Sequence, residues 1–349
     1  MKDNRTIHSV LAVEETLEFI RGDLEKVEVE LAEQFLGRGI DAVAPPLSAA
    51  GCIRLRPALH LLAARLCGCE DDAAVRLGAV LELMHLAIGA HEGVTDRCGS
   101  PFGRFRDDGS CSNSLLILGG DWLWLQAFRL AFSKRHFRIL TLLIGTAKIM
   151  VEGEMMQFHQ RGRLNVTETE VLEAVTCKTA RLFGLSMQLG AVLAGRDQAV
   201  EDCLLRCGMH LGLAFQVITD LLNMIGPSRA PSRPMEMNLP ARRVNLPLVY
   251  LLEKSNVQAH FLIKEMLSGK PHFLTTRQRI AALVRDSGAF GRTWDLASRS
   301  ATEVFRCLHA FPDSQCRRAL QTICEHILAL ADLERPGNGE TSPFLRDLY

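Results

Sequence analysis

Helical periodicity runs the length of this chain and constrains its fold more than any other feature. Apolar residues recur at spacings of three and four, and no stretch shows the apolar–polar alternation of a half-buried strand. Leu and Ala dominate, Tyr occurs only twice, and β-branched runs are short, all of which favours helix. The spacing predicts helices at 10–36, 47–67, 71–96, 113–132, 135–162, 167–194, 197–225, 242–254, 257–268, 274–286, 290–310 and 313–334. TETE at Thr167–Glu170 fits a capping box, with Thr167 as the cap and Glu170 reaching back. One segment breaks the pattern: GPSRAPSRPMEMNLP at 226–240 carries four prolines and is not helical throughout. No shift of composition marks a second domain and no short repeat is visible. The expectation is one all-α domain over 1–335 and a poorly ordered tail, PGNGETSPFLRDLY, at 336–349.

Charge and cysteine usage narrow the classes of function. Lys plus Arg equals Asp plus Glu, 40 of each. That balance argues against a dedicated nucleic-acid binder or a polybasic membrane anchor. The eleven cysteines match no zinc spacing, with CGC at 67–69 and Cys203 and Cys207 one helical turn apart. They read as reduced, mostly buried small apolar residues of a cytoplasmic protein. MKDNRTIHSV has no apolar core of the secretory kind. No run reaches the roughly 18 uninterrupted apolar residues of a membrane span. The nearest, LLILGGDWLWLQAF, is broken by Gly119, Gly120 and Asp121, so no transmembrane segment is expected.

The candidate chemistry begins in ELMHLAIGAHEGVTD, Glu82 to Asp96. Glu92 and Asp96 stand four residues apart and project from one side of the predicted helix. The pair reads as a metal site, the remnant of one, or a solvated helix end. GCIRLRP at 51–57 puts Arg54 and Arg56 near a helix start, where they either bind an anion with free backbone N–H groups or pair with carboxylates across the helix end. His85 and His91 read as core histidines or as catalytic groups. Further along come GD at 120–121, Glu154 and Gln157 in GEMMQ, Lys178 and Thr179 in KTARLFG, and Gln216, Asp220 and Asn223 in GLAFQVITDLLN. Arg243 lies in RRVNLP, after the proline segment.

This succession resembles the trans-isoprenyl diphosphate (polyprenyl) synthase family over roughly residues 15–335. That family has a basic GGKRxRP motif, a first aspartate-rich helix preceded by histidine, GD, GE..Q, KTA.LF, a second aspartate-rich motif in GLAFQ..DD..D, and GK.TLP. The resemblance implies a bundle of long helices around a central apolar cavity, normally dimeric. It also implies condensation of an allylic diphosphate with isopentenyl diphosphate, driven by Mg2+ held between the two aspartate motifs. On that reading Glu92, Asp96 and Asp220 are the metal residues. Arg54, Arg56, His85, Lys178, Thr179, Gln216 and Arg243 face diphosphate, and Met84, Ala87, Ile88, Phe183 and Phe215 line the cavity. The small Ala87, five residues before the first acidic position, resembles the long-chain enzymes.

The chain departs from the family where the chemistry is done. The first motif calls for Asp at 92, 93 and 96 and has Glu92, Gly93 and Asp96; the second calls for Asp at 219, 220 and 223 and has Thr219, Asp220 and Asn223. The lysine of the basic motif is Ile53, and that of GK.TLP is Arg243. The arginine pair after the first motif falls near Pro101 and Phe102, with Arg97, Arg104 and Arg106 nearby. Heteromeric prenyl synthases include second subunits that lose these aspartates. The resemblance therefore implies a non-catalytic or regulatory subunit, as a homodimer or as a heteromer with an active prenyl diphosphate synthase, able to hold a prenyl diphosphate. The alternatives are an active prenyltransferase with a reduced Mg2+ site, or a terpene-cyclase-like enzyme.

Overall fold

The computed structural model describes residues 13, 15–35, 54–95, 113–132, 136–225, 243–254, 257–268 and 273–332. Every regular element among them is helical. A short 3-10 turn, Glu18–Ile20, leads into α1, Arg21–Phe35. There follow α2 (Leu55–Leu66), α3 (Asp72–Thr95), α4 (Asn113–Phe132), α5 (Phe137–His159) and α6 (Glu168–Val175). A π-helical turn, Thr176–Ala180, joins α6 to α7 (Arg181–Leu193). The chain continues as α8 (Gln198–Ile225), α9 (Leu246–Leu252), α10 (Val257–Ser268), α11 (Phe273–Asp286), α12 (Ala289–Leu308) and α13 (Gln315–Asp332).

The helices form where the apolar spacing places them, and local chemistry sets several ends. The capping box at Thr167 is complete: Glu170 N donates to Thr167 Oγ1 at 3.2 Å, and Thr167 N donates to Glu170 Oε2 at 2.8 Å. The predicted helix at 242–254 starts later, at Leu246, because Pro247 occupies its first turn, where a missing N–H costs nothing. The predicted helix at 167–194 is helical throughout but contains the π turn. At the end of α8, Arg277 and Arg285 of α11 donate to the Asn223 and Ile225 carbonyls, both at 2.6 Å, satisfying acceptors the helix leaves open.

The core lies along α3, α7 and α8. Leu81, Leu83, Met84 and Ala87 of α3, Phe183, Leu185 and Leu189 of α7, and Leu204, Leu211 and Ala214 of α8 are fully buried. α7 is wedged between α2 and α8 by glycine. A Cβ on Gly190 would sit 2.5 Å from the Ala64 nitrogen, and one on Gly208 would sit 2.4 Å from the Phe183 carbonyl. Met84, Ala87, Ile88, Phe183 and Phe215 all belong to this one continuous core. A depression of about 210 Å³ lies elsewhere, among Asp23, Lys26, Arg65 and Glu70, and carries none of the candidate site residues.

Average hydropathy and unbroken apolar runs read the long helices differently. Three described helices, α3 (Asp72–Val94), α4 and α8, are long and apolar enough to cross a membrane by length and composition alone. Counting only unbroken apolar runs missed them, because a glycine or a single charge interrupts a run without much lowering the average. The fold uses much of this apolar length itself: 83% of the most apolar window is buried in α3 and 67% in α8, but only 50% in α4.

Candidate functional site

The site is organised by Lys178, which the π turn turns inward. A π turn fits an extra residue into a helix and redirects what it carries. Here it presents Lys178 to α3, α5 and α8, with only 9% of the residue exposed. Gly153 of α5 permits the approach, since a Cβ there would meet Cys177 Cβ at 2.9 Å and Lys178 N at 3.0 Å.

Carboxylates gather round this ammonium. Lys178 Nζ contacts Glu92 Oε1 of α3, lies 2.7 Å from Glu154 Oε2 of α5, and donates to Gln157 Oε1 at 2.8 Å. Gln157 also accepts from Arg243. From α8, Asp220 faces the same point, held by a chain in which Thr179 Oγ1 donates to Gln216 Oε1 at 3.0 Å and Gln216 Nε2 donates to Asp220 Oδ1 at 2.9 Å. Burial pushes Asp220 up to about 6, with Gln216 and Lys178 opposing it. Burial likewise pulls Lys178 down to about 7, with Asp220 opposing. The direct contacts to Glu92 and Glu154 favour the charged amine, so the ammonium is the state assigned at neutral pH. Burial lowers Arg243 to about 10.

The basic residues near the start of α2 face different neighbours. Arg54 donates to Glu28 at 2.6 and 3.3 Å and to Glu82 at 2.9 Å, the carboxylate pairing read beside anion binding. Arg56 lies over the Phe183 ring, 5.2 Å from its centre. His85 faces Arg54, Arg56 and Lys178. Burial first, and then those three cations, hold it well below the usual imidazole range. His91 pairs instead with Asp121 of α4, Nε2 to Oδ1 at 3.2 Å. Gly120 makes room for it, since a Cβ there would lie 2.3 Å from the imidazole. GD at 120–121 thus sits inside α4, where it seats His91.

Spacing alone missed the convergence of Glu154, Gln157 and Arg243 on Lys178, although each belongs to a motif read in the sequence. Asp96, Asp107, Asp108, Arg97, Arg104, Arg106 and the proline segment 226–240 lie outside the described residues. A divalent cation bound by protein takes about six oxygen ligands. Among the described residues, no group of three His, Cys, Asp or Glu side chains is arranged to hold a metal ion. Glu92 and Asp220 approach from facing helices, but an ammonium already stands against Glu92. Among the described residues, this donor set does not fit a metal cluster.

Another feature went unread in the sequence. Along α4, Leu118, Leu125 and Phe132 are exposed at seven-residue intervals, and along α5 so are Phe137, Ile144, Val151 and Phe158. Ile117 and Met155 widen the two stripes. A sustained seven-residue apolar repeat is the pattern of a helix seam.

A long-helix all-α bundle with its polar cluster set among α3, α5 and α8 is the architecture of the isoprenoid synthases. The Polyprenyl synthetase family pattern matches residues 40–284, and the chain belongs to that family. It is 29% identical to the all-trans-nonaprenyl-diphosphate synthase (geranyl-diphosphate specific) of Rhodobacter capsulatus over 297 residues, 82% of this chain and 90% of that one. It is 26% identical to the heptaprenyl diphosphate synthase component 2 of Geobacillus stearothermophilus over 311 residues, 88% and 96% of the two chains. Its structure superimposes on that of a polyprenyl synthase from Caulobacter crescentus CB15, complexed with calcium and isoprenyl diphosphate. The TM-score is 0.82 at 27% identity, covering 91% of this chain and 97% of the other.

Proposed function

We propose that this chain is a non-catalytic subunit of isoprenoid biosynthesis that associates with an active prenyl diphosphate synthase. The observation that carries this reading is the state of the metal positions, where few carboxylates remain and Lys178 stands against them. A lysine ammonium contacts Glu92, lies 2.7 Å from Glu154 and faces Asp220, neutralising from within the carboxylates that a family metal cluster would use. Three further metal positions are Gly93, Thr219 and Asn223, which offer no carboxylate. Release of a diphosphate needs strong charge neutralisation at the leaving oxygens, and a single ammonium already shared by three carboxylates supplies little of it. Arg56, His85, Thr179, Gln216 and Arg243 are the groups we assign to holding a prenyl diphosphate, with its chain directed along Ala87 and Ile88.

The exposed stripes on α4 and α5 support the subunit reading, because an apolar seam of this length seeks a partner helix pair. The partner is a second copy or, in the working assembly, the active synthase. That one relative is itself named a synthase component favours the same view. We place the assembly in the cytoplasm.

A second reading, an active prenyltransferase with a reduced site, draws on the synthases among the relatives and on the facing positions of Glu92 and Asp220. One experiment separates the two. Labelled isopentenyl diphosphate is supplied with geranyl, farnesyl or geranylgeranyl diphosphate and Mg2+, first to the purified chain and then to its mixture with the active synthase of the same source. No product from the chain alone and a changed rate or product length in the mixture is expected. Turnover by the chain alone overturns the subunit reading and establishes the second.

A further inference from the structure

Away from this site, three thiols meet where α8 crosses the end of α12. Cys203 and Cys207 lie one turn apart on α8 and so share a face. Cys203 Sγ lies 3.7 Å from the Cys307 carbonyl, and Cys207 Sγ lies 3.8 Å from the Val304 carbonyl. Both thiols thus point at the last turn of α12, which carries Cys307. Cys207 is fully buried, whereas Cys203 and Cys307 are half-buried and accessible to a small reagent. The three are free thiols.

We infer that Cys307 is a peroxide-reactive thiol and that Cys203 resolves it to a reversible disulfide tying α8 to α12. The surroundings suit the first role. The neighbouring Cys207 and Cys203 thiols, together with Arg206, draw the Cys307 thiol down to about 6 against burial and Glu303. Burial and the same neighbours push Cys203 and Cys207 upward, so they stay protonated. The Cys307 sulfur attacks one peroxide oxygen, the O–O bond breaks, and the other oxygen leaves as water, giving a sulfenic acid. The Cys203 sulfur then attacks the Cys307 sulfur. An S–S bond forms, the S–O bond breaks, and the hydroxyl departs as water with the Cys203 proton. Two thiols and one peroxide become one disulfide and two waters. Cys203 is the resolving partner because it shares the accessible edge with Cys307, whereas Cys207 faces the core.

The test uses the reduced full-length chain and one equivalent of hydrogen peroxide. The expected product is lighter by about 2 Da, yields a non-reduced peptide joining Cys203 to Cys307, and reverts with dithiothreitol. Before oxidation, iodoacetamide at neutral pH should label Cys307 at least tenfold faster than Cys316 or Cys324. In Cys203→Ser, with helical content unchanged by circular dichroism, a sulfenic-acid trap should capture Cys307 and no disulfide should form. A disulfide joining Cys307 to Cys207, one that omits Cys307, or equal labelling of all the thiols overturns the inference.

Discussion

The Lys178 cluster and the outer face of α4 and α5 are opposite cases of one rule. In the cluster, polar groups meet partners within the chain: the lysine answers Glu92 and Glu154, and Gln216 ties Asp220 to Thr179. On the outer face, large apolar groups at seven-residue intervals stay exposed, although Phe132 meets Phe137 edge-on and Arg161 lies over Phe158. The centre where a family enzyme takes up ions is satisfied from within, while the surface asks for a partner. On the subunit reading proposed above, a centre neutralised from within and an exposed seam are together what a structural subunit needs.

The comparison can be broken at its centre first. Lys178→Met should destabilise the fold by about 3–5 kcal/mol, because it strands buried carboxylates without a counter-charge. Urea denaturation measures the loss. A variant as stable as the parent would mean that the ammonium is not what neutralises the cluster.

A second perturbation reads the core beside it. His60 of α2 is fully buried, with Nδ1 3.0 Å from the Ser186 carbonyl of α7, and burial lowers its pKa from 6.5 to about 4. The unfolded chain binds the proton first, so the stability from neutral His60 is whole above pH 6.5 and drains away as the pH falls toward 4. The loss from this group approaches about 3 kcal/mol. Chemical denaturation from pH 7 to 4 should show it, and His60→Leu should flatten that part of the curve.

On the outer face, Leu125→Asp combined with Ile144→Asp should weaken association by about 2 kcal/mol or more, roughly thirtyfold, with helical content unchanged. Sedimentation of the chain, alone and with the active synthase, tests this. A doubly charged seam that still associates as well as the parent would place the interface elsewhere. The smallest effect is local: Thr167→Ala removes one half of the capping box and should cost about 1 kcal/mol in the same urea titration.

The helices were the most legible part of the molecule. Asn113–Phe132 falls where the spacing puts it, and α3 and α8 match to within one residue at each end, because long apolar periodic stretches have few other ways to fold. The capping box could be read because both of its partners lie within one turn. The π turn could not, since KTARLF is as compatible with an ordinary helix. The site was legible as a set of motifs but not as a set of contacts. Arg54 meets Glu28 and Glu82, 26 and 28 residues away, and no local signal names those partners. The α4–α5 seam was written in the sequence and passed over, because apolar faces were all assigned to the interior.

The glycine contacts on either side of α7 set a timescale. With backbone against backbone at Gly190 and Gly208, α7 cannot turn or slide without lifting α2 and α8 away with it. Such a segment has no local route to open. Its amide protons therefore exchange with water only when the whole bundle comes apart, and α7 keeps time for the global unfolding of the protein while α10 exchanges long before it.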